Sequence, residues 1–283
     1  MKLPPRPRAL DKAVALSPEE VAFVRGLVLY EDAAVLALNK PAGLSSQGGR
    51  AQVHTLDELL WAFAKASGNR PRLIHRLDRD TSGVILTART KPAAAFLGKA
   101  MMARRGFDKT YLALVAPGPP EPRAGRVEAP LRREEVGREA YVRVCEADHP
   151  DAQAALSLYR TLAEGEGAAL VELRPQTGRM HQLRVHLASI GRPILGDPRY
   201  GGALTAGGRP VPRLMLHAAA LKFPHPEGRV MRIEAPPPED FQGVAAALGI
   251  VLAPVPAASP RAPAGAQERP PLPDISAPKE QSR

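Results

Sequence analysis

Cysteine, internal repeats and long apolar runs are scarce or missing in this sequence. Its 283 residues include one cysteine, Cys145, which excludes an internal disulfide framework and a thiolate metal cluster and agrees with a reducing compartment. No apolar run is long enough to cross a bilayer, and prolines interrupt the N-terminus where a signal peptide would need an apolar stretch. No repeat of solenoid period is found. We therefore expect a soluble, cytoplasmic protein without repeat architecture.

Three familiar ligand-binding motifs begin in this sequence and are then broken. The stretch from Asp78 starts like a calcium loop, but Arg89 stands where a bidentate glutamate is required. The stretch "GLSSQGGR" has glycine and arginine where a phosphate-binding loop requires lysine and a hydroxyl residue. His181 and His186 are five residues apart, so a helix does not bring them to one face for zinc. The sequence thus predicts no metal site.

Positive charge is present in excess. Its 39 lysines and arginines against 29 acids give a formal net charge of +10 at pH 7, which concentrates polyanions such as RNA, DNA or an anionic membrane near the surface. Residues 254–283 are rich in Pro, Ala and Ser and contribute little of this charge. They cannot bury enough apolar surface to become ordered. We predict an N-terminal extension over 1–20, one folded basic domain over 21–250 and a disordered tail over 251–283.

Strand-like runs outnumber helical runs and do not alternate with them regularly. This pattern favours an α+β fold with a mixed or antiparallel sheet. Helices are predicted at "LDELLWAFAKAS", which the Thr55–Glu58 capping box opens, at "KPAAAFLGKAMMARRG" and at "MHQLRVHLASIG". In the third helix Leu183, Leu187 and Ile190 should face the core. Strands are predicted at "LVLYEDAAVLALNK", which holds two, and at "GVILTA", "KTYLALVA", "AALVELR" and "LMLHAAALKF".

The stretch "HRLDRDTSG", from His75 to Gly83, contains two aspartates with different expected roles. Asp80 precedes "TSG" and suits an Asx turn that braces the loop. Asp78 has arginines on both sides, a setting that favours a charged, nucleophilic carboxylate. Further along, Arg184 either is a solvated or structurally paired arginine or reaches outward with His181 to pair with a carboxylate in a cleft. The residues alone make Asp78 a candidate and leave both readings of Arg184 open.

Several longer motifs resemble one enzyme family in order and spacing. They are "LNKPAGL", "HRLDRDTSGVILTA", "FDKTYLALV", "LRPQTGRMHQLRVHLASIGRPILGDPRYGG" and "LMLHAAAL", and together they resemble the RluA-type family of RNA pseudouridine synthases. The resemblance covers roughly residues 27 to 235. It implies the pseudouridine synthase fold, with a mixed or antiparallel sheet, flanking helices and a central cleft. It also implies isomerisation of uridine to pseudouridine in tRNA or ribosomal RNA, without a metal or an organic cofactor.

The same resemblance assigns roles to individual residues. It implies that Asp78 is the catalytic aspartate, that Tyr111 stacks on the target base and that Arg184 pairs with the aspartate. It further implies that Arg76 fills the space left when the base is flipped out of the RNA stack. The remaining predicted RNA contacts are His75, Lys109, Arg179 and His181.

Partners and competing classes follow from these assignments. We expect RNA as the partner, with no membrane or DNA binding, and a monomer. The roughly twenty residues before the first strand are too few for the S4-type RNA-binding domain that many relatives carry. A non-catalytic RNA-binding protein would use the same basic cleft but would gain nothing from a carboxylate in it. A nuclease or glycosidase would need a second carboxylate paired with Asp78, which the sequence does not indicate.

Overall fold

The computed structural model describes residues 13–48, 54–65, 68–103, 105–137 and 139–252. These ranges contain five α-helices: Pro18–Gly26 (α1), Leu56–Leu59 (α2), Lys91–Met102 (α3), Gln182–Ser189 (α4) and Glu239–Ala247 (α5). They also contain fourteen strands: Val28–Glu31 (β1), Val35–Lys40 (β2), Arg72–Leu73 (β3), Ser82–Ala88 (β4), Asp108–Val115 (β5), Ala124–Glu128 (β6), Leu131–Val136 (β7), Glu139–Val144 (β8), Leu156–Gly165 (β9), Ala168–Pro175 (β10), Thr205–Ala206 (β11), Arg209–Pro210 (β12), Leu216–Pro224 (β13) and Val230–Glu234 (β14). Nearly all of the predicted tail lies outside the described residues.

A ten-stranded sheet is the central element. Its strands run in the order β1-β2-β4-β13-β5-β10-β9-β6, with β14 beside β13 and β3 beside β4. Strands β4 and β13 pair in parallel, whereas their other pairings, such as β13 with β5 and β2 with β4, are antiparallel. Two small sheets, β7-β8 and β11-β12, stand apart from it. The predicted α+β fold with a mixed, largely antiparallel sheet is confirmed.

Helices cover both faces of the central strands. Alternate residues of β2 enter different apolar clusters: Leu36 and Leu38 pack with residues of α2, α4 and α5, whereas Val35 and Ala37 pack with residues of α3. This alternation follows from the two-residue period of a strand. Strand β4 is buried along its whole length. Burial therefore holds both ends of β4 in place. The loop that carries Asp78 leads directly into the first residue of this strand, Ser82.

Gly83 is required where β4 begins. Its φ is +115°, and a Cβ built on it would lie 2.2 Å from the carbonyl oxygen of Ala218 on β13. No other residue tolerates both that backbone conformation and that approach. The glycine that closes the "HRLDRDTSG" motif thus holds the loop before it against β13.

Two of the predicted helices differ from the structure. The helix predicted at "LDELLWAFAKAS" has its capping box, but α2 ends at Leu59 and a 3₁₀ turn continues only to Phe63. Leu56, Leu59, Leu60 and Phe63 already fill the core, so further turns would bury nothing and gain no tertiary support. The predicted third helix begins at Gln182 rather than Met180, because His181 is left-handed with φ 52°.

Other boundaries are close to prediction. In α4, Leu183 and Leu187 face the core as predicted. Helix α1 starts at Pro18, inside the extension predicted over 1–20, because Ser17 and Glu20 form a capping box. Within the described residues, no helix is both long enough and apolar enough to span a membrane.

Candidate active site

A cleft of about 740 Å³ lies beside the loop that carries Asp78, and a smaller space of about 120 Å³ continues inward from it. Nine residues line both spaces: Arg76, Leu77, Asp78, Lys109, Pro175, Thr177, Gly178, Arg179 and His181. Tyr111 and Arg184 line only the inner space. The structure therefore brings all eight of the sequence-predicted site residues to one place, because His75 also lines the outer cleft.

Hydrogen bonds to its backbone hold the Asp78 loop from one side. The Ser46 hydroxyl donates to the carbonyl of Leu77 at 2.7 Å and accepts from its N–H at 3.1 Å. The turn is closed by the N–H of Thr81, which donates to the carbonyl of Asp78 at 3.2 Å. The Asp78 side chain itself is 34% exposed, toward the cleft. A fixed backbone with an open carboxylate is what a nucleophile or a charge-stabilising group needs.

Lys40 is a second support for this loop, and its side chain is fully buried. Its ammonium donates to the carbonyls of Pro41 and Leu44 at 2.8 Å each and to the carbonyl of Arg79 at 3.0 Å. Burial lowers the pKa of Lys40 to about 7, against the opposing charges of Asp80 and Asp78. The ammonium therefore links the segment after β2 to the residue that follows Asp78.

Arg184 lies in the first turn of α4, where it is buried and lines the inner space. Its Nε and Nη2 donate to Asp197 Oδ2 and Oδ1, both at 2.7 Å, while its Nη1 lies 3.9 Å from Asp78 Oδ2. Burial would lower the pKa of Arg184, but the hydrogen bonds and charge of Asp197 outweigh burial and raise it. Arg184 is thus a fixed cation that faces Asp78 with its third nitrogen.

Asp197 is held in turn by its own loop. The backbone N–H groups of Arg199 and Tyr200 donate to its Oδ1 at 3.1 and 3.3 Å, and its side chain is 1% exposed. Gly196 before it has φ +73°, and a Cβ there would lie 1.8 Å from the carbonyl of Arg213. The buried carboxylate is therefore fully partnered, as a buried charge must be.

His181 is the second group near the carboxylate, with its Nε2 4.0 Å from Asp78 Oδ2. Its Nδ1 lies 2.8 Å from the Tyr200 hydroxyl, which already accepts the N–H of Val142 at 3.1 Å. This hydrogen bond fixes the ring with its Nε2 toward Asp78. Burial lowers the pKa of His181, opposed by the Asp78 charge, so the neutral ring is favoured at pH 7.

Tyr111 forms one wall of the inner space. It lies on β5, where it pairs with Ala218 of β13 and Leu173 of β10. Burial and the nearby Asp78 charge raise the pKa of Tyr111. Its phenol is therefore protonated at neutral pH, with its ring available to a base that enters the inner space.

The predicted RNA contacts differ in their surroundings. Arg76 is exposed at the cleft wall, whereas burial lowers the pKa of Lys109. Arg179 Nε donates to the carbonyl of Ala154 at 3.2 Å. His75 Nε2 accepts the N–H of Leu86 at 3.1 Å, and burial lowers its pKa to about 3. His75 is thus a neutral residue held against β4.

Two further expectations concern carboxylates and metals. Asp80 was expected to brace the loop through an Asx turn, but its carboxylate instead accepts from the guanidinium of Arg79 at 2.9 and 3.2 Å.

Within the described ranges, no group of three or more metal-ligating side chains could hold a metal ion. That the reaction proceeds without metal or cofactor stays a prediction.

Sequence reasoning missed three residues of this site: Lys40, Asp197 and Tyr200. All three lie in motifs that the resemblance covers, "LNKPAGL" and "GDPRYGG". The glycines around Asp197 were a usable signal, because glycine often marks a close approach of backbone. The second pairing of Arg184, with Asp197 as well as Asp78, had no local signal.

Together, the carboxylate, the guanidinium and imidazole beside it and a basic cleft form a site suited to chemistry on a nucleic acid. The model of one protein family, the RNA pseudouridylate synthases, matches residues 34–189. Among curated proteins, ribosomal large subunit pseudouridine synthase C of Escherichia coli (strain K12) is 40% identical over 251 residues, 86% of this chain and 76% of that protein. Ribosomal large subunit pseudouridine synthase D of Zymomonas mobilis is 37% identical over 228 residues, 76% of this chain and 70% of that protein.

A solved structure agrees with these matches. Human RNA pseudouridylate synthase domain containing 4 superposes with a TM-score of 0.70 at 28% identity, over 83% of this chain and 98% of that one. The chain therefore belongs to the RNA pseudouridylate synthase family. The predicted activity, an isomerase that converts uridine in RNA to pseudouridine, is confirmed at the level of the family.

Proposed function

We propose that Asp78 is the catalytic carboxylate of this isomerase. The observation that carries the proposal is its position: it opens into the cleft where the outer and inner spaces meet, 3.9 Å from a buried arginine. In the reaction the N1–C1′ bond of uridine breaks, the base turns, and a C5–C1′ bond forms. The proton on C5 is lost and N1 gains one, so no co-reactant is needed. Asp78 either forms a transient bond to the substrate or stabilises the charge that develops as the glycosidic bond breaks.

Neighbouring side chains have distinct proposed roles. Arg184, fixed by Asp197, holds a positive charge opposite the carboxylate through its nearby Nη1. Tyr111 stacks on the base in the inner space, and its protonated phenol is a donor there. Arg76, exposed at the wall, fills the space of the flipped-out uridine, since a guanidinium plane stacks on the bases left behind.

Lys109, Arg179, His181 and His75 are proposed to contact the RNA. Lys109 and Arg179 line both spaces, where their charges meet the phosphates on either side of the target. His181 directs its Nε2 into the same space. The contact of His75 is limited to the part of its ring that faces the cleft, because Nε2 is already occupied by Leu86.

We further propose that ribosomal RNA of the large subunit is the substrate. The support is that the bacterial relatives matched over most of this chain are named for the ribosomal large subunit. The protein would then act in the cytoplasm as a monomer, with the target chosen by the catalytic domain over 21–250. Transfer RNA is the alternative substrate.

Asp78 has a matched control in Asp80, two residues away and paired with Arg79 instead. Purified wild type, Asp78→Asn and Asp80→Asn are incubated with large-subunit ribosomal RNA and with tRNA transcripts. Pseudouridine is then mapped by chemical tagging and reverse transcription. We expect site-specific product in ribosomal RNA from wild type and Asp80→Asn and none from Asp78→Asn. Activity of Asp78→Asn equal to wild type would contradict the role of Asp78, and product confined to tRNA would contradict the substrate.

A further inference from the structure

A second basic pocket lies away from the cleft, with a volume of about 320 Å³. Five cations line it: Lys65, Arg70, Arg72, Arg89 and Lys91. No carboxylate is among its described lining residues, which otherwise are Asn69, Ala88, Thr90 and Pro92. We call this the distal basic pocket. So dense a group of like charges is unfavourable unless an anion compensates it.

Two of the five cations are neutralised by the protein itself. Arg70 donates two hydrogen bonds to Asp57, both at 2.9 Å, and Arg89 pairs with Glu31 at 2.7 Å. Lys65, Arg72 and Lys91 form no ion pair with any residue of the described ranges, and all three are exposed. The pocket therefore presents about three positive charges to solvent, with two partly buried ion pairs fixing its walls.

Helix α3 joins the distal basic pocket to the cleft. Its first residue, Lys91, lines the pocket, and its last residues, Met101 and Met102, line the cleft. Twelve residues of helix span about 18 Å. Strand β4 also separates the two sites along its length. Arg72 of β3, in the pocket, pairs with Ala88 at the C-terminal end of β4, whereas Asp78, in the cleft, precedes the N-terminal end of β4. An RNA segment held in the cleft can therefore lie along α3 and reach the pocket.

We propose that the distal basic pocket binds backbone phosphates of the RNA flanking the target uridine. This rests on the proposed function, because the RNA must already occupy the cleft. Ammonium and guanidinium groups without base-reading geometry fit phosphates, which position an RNA without reading its sequence. The pocket then adds affinity for long substrates and leaves the chemical step unchanged.

The test compares two transcripts of the same modified site. The short one holds only the loop with the target uridine, and the long one adds its flanking stem. Binding of each is measured across a salt series with wild type and with the triple variant Lys65→Ala, Arg72→Ala, Lys91→Ala. For the long RNA we expect about tenfold weaker binding and a salt slope reduced by about 2, since each lost phosphate contact lowers it by somewhat under one. For the short RNA we expect affinity and single-turnover rate within about twofold of wild type, which also shows that the variant is folded.

A triple variant elsewhere on the surface serves as control: Arg126→Ala, Arg209→Ala and Lys222→Ala, all exposed. It removes the same charge, so we expect little change with either RNA. If the pocket variant and this control weaken long-RNA binding equally, or if the pocket variant weakens both RNAs equally, the inference is overturned. If wild type modifies neither transcript, the proposed function is lost and the inference with it.

Discussion

Two buried cations flank the Asp78 loop, and they stabilise it in different ways. Lys40 donates only to backbone carbonyls, those of Pro41, Leu44 and Arg79. Arg184 donates both arms of its fork to the Asp197 carboxylate and leaves one nitrogen near Asp78. The first cation therefore fixes the position of the loop backbone, and the second sets the charge opposite the reactive carboxylate.

The difference follows from the chemistry of the two side chains. An ammonium is a compact charge with three donors that can satisfy three separate carbonyls, whereas a guanidinium is a planar fork that matches a carboxylate. Loss of Lys40 should therefore change the position of Asp78, whereas loss of Arg184 should change the reactivity of its carboxylate. The following variants test this contrast and extend it to two neighbouring uncharged residues.

Arg184→Met should have the largest effect. It leaves the Asp197 charge buried without its partner, and breaking such a pair costs about 3–5 kcal/mol of unfolding free energy. It also removes the cation opposite Asp78, so product formation should fall to background. Denaturant unfolding and single-turnover assays measure the two effects.

A double variant separates charge from packing at this site. Arg184→Met with Asp197→Leu removes both buried charges and should recover much of the lost stability, as buried pairs replaced by apolar groups often do, while activity stays absent. Recovery of activity by the double variant would show that Arg184 acts only as a structural residue.

Lys40→Met should cost slightly less stability, about 3–4 kcal/mol, because it leaves three carbonyls without their donor. Since Arg184 and Asp78 are both retained, we expect a measurable but much reduced catalytic rate, with the Kd for RNA nearly unchanged. Lys222→Met, at an exposed lysine, is the control and should match wild type. If Lys40→Met showed only background activity, as Arg184→Met is expected to, the contrast between a loop-positioning lysine and a charge-setting arginine would be wrong.

His217 is an uncharged counterpart of these cations below the same loop. Its Nε2 donates to the carbonyl of Ala235 at 3.0 Å, and its Nδ1 lies 2.9 Å from the hydroxyl of Ser82, the first residue of β4. Burial lowers its pKa to about 4. Between that value and the ordinary 6.5 the unfolded chain binds the proton and the folded chain does not, so stability is lost as pH falls through this window.

The expected loss from His217 is on the order of 3 kcal/mol between pH 6.5 and 4. His217→Gln should lower the unfolding free energy at pH 7. It should also reduce the slope of unfolding free energy against pH, between pH 4 and 6.5, by the amount due to about one proton, as measured by denaturation at a series of pH values. A slope identical to wild type would mean that His217 does not stay neutral in the fold.

Tyr200→Phe should have the smallest effect. It removes the hydroxyl that accepts from Val142 and is hydrogen-bonded to His181, at a cost of about 1–2 kcal/mol. Without that partner the His181 ring is less firmly oriented toward Asp78, so we expect a rate lowered severalfold and a pH–rate profile that shifts. An unchanged profile would show that the orientation of His181 has no part in the reaction.

Local signals in the sequence were enough for much of the fold. Alternation and turn residues located β1, β2, β4, β5, β10 and β13, and helical spacing located the core side of α4. Strand β9 and the β7-β8 hairpin were not predicted, although β9 alternates buried and exposed residues, which is itself a strand signal. Helix α2 was overextended, since propensity cannot show that the core is already filled at Phe63.

For the site, the sequence by itself determined which motifs belong together and so singled out Asp78, Tyr111 and Arg184. It could not show which carboxylate Arg184 binds, since Asp78 and Asp197 are both acids in quoted motifs and the choice depends on distances of a few ångströms. Nor could it show that Lys40 holds the loop after Asp78 or that three unpaired cations gather at the far end of α3. Those facts arise where β2, β3, β4 and α4 meet, because burial and pairing are properties of segments distant in sequence that only the tertiary structure brings into contact.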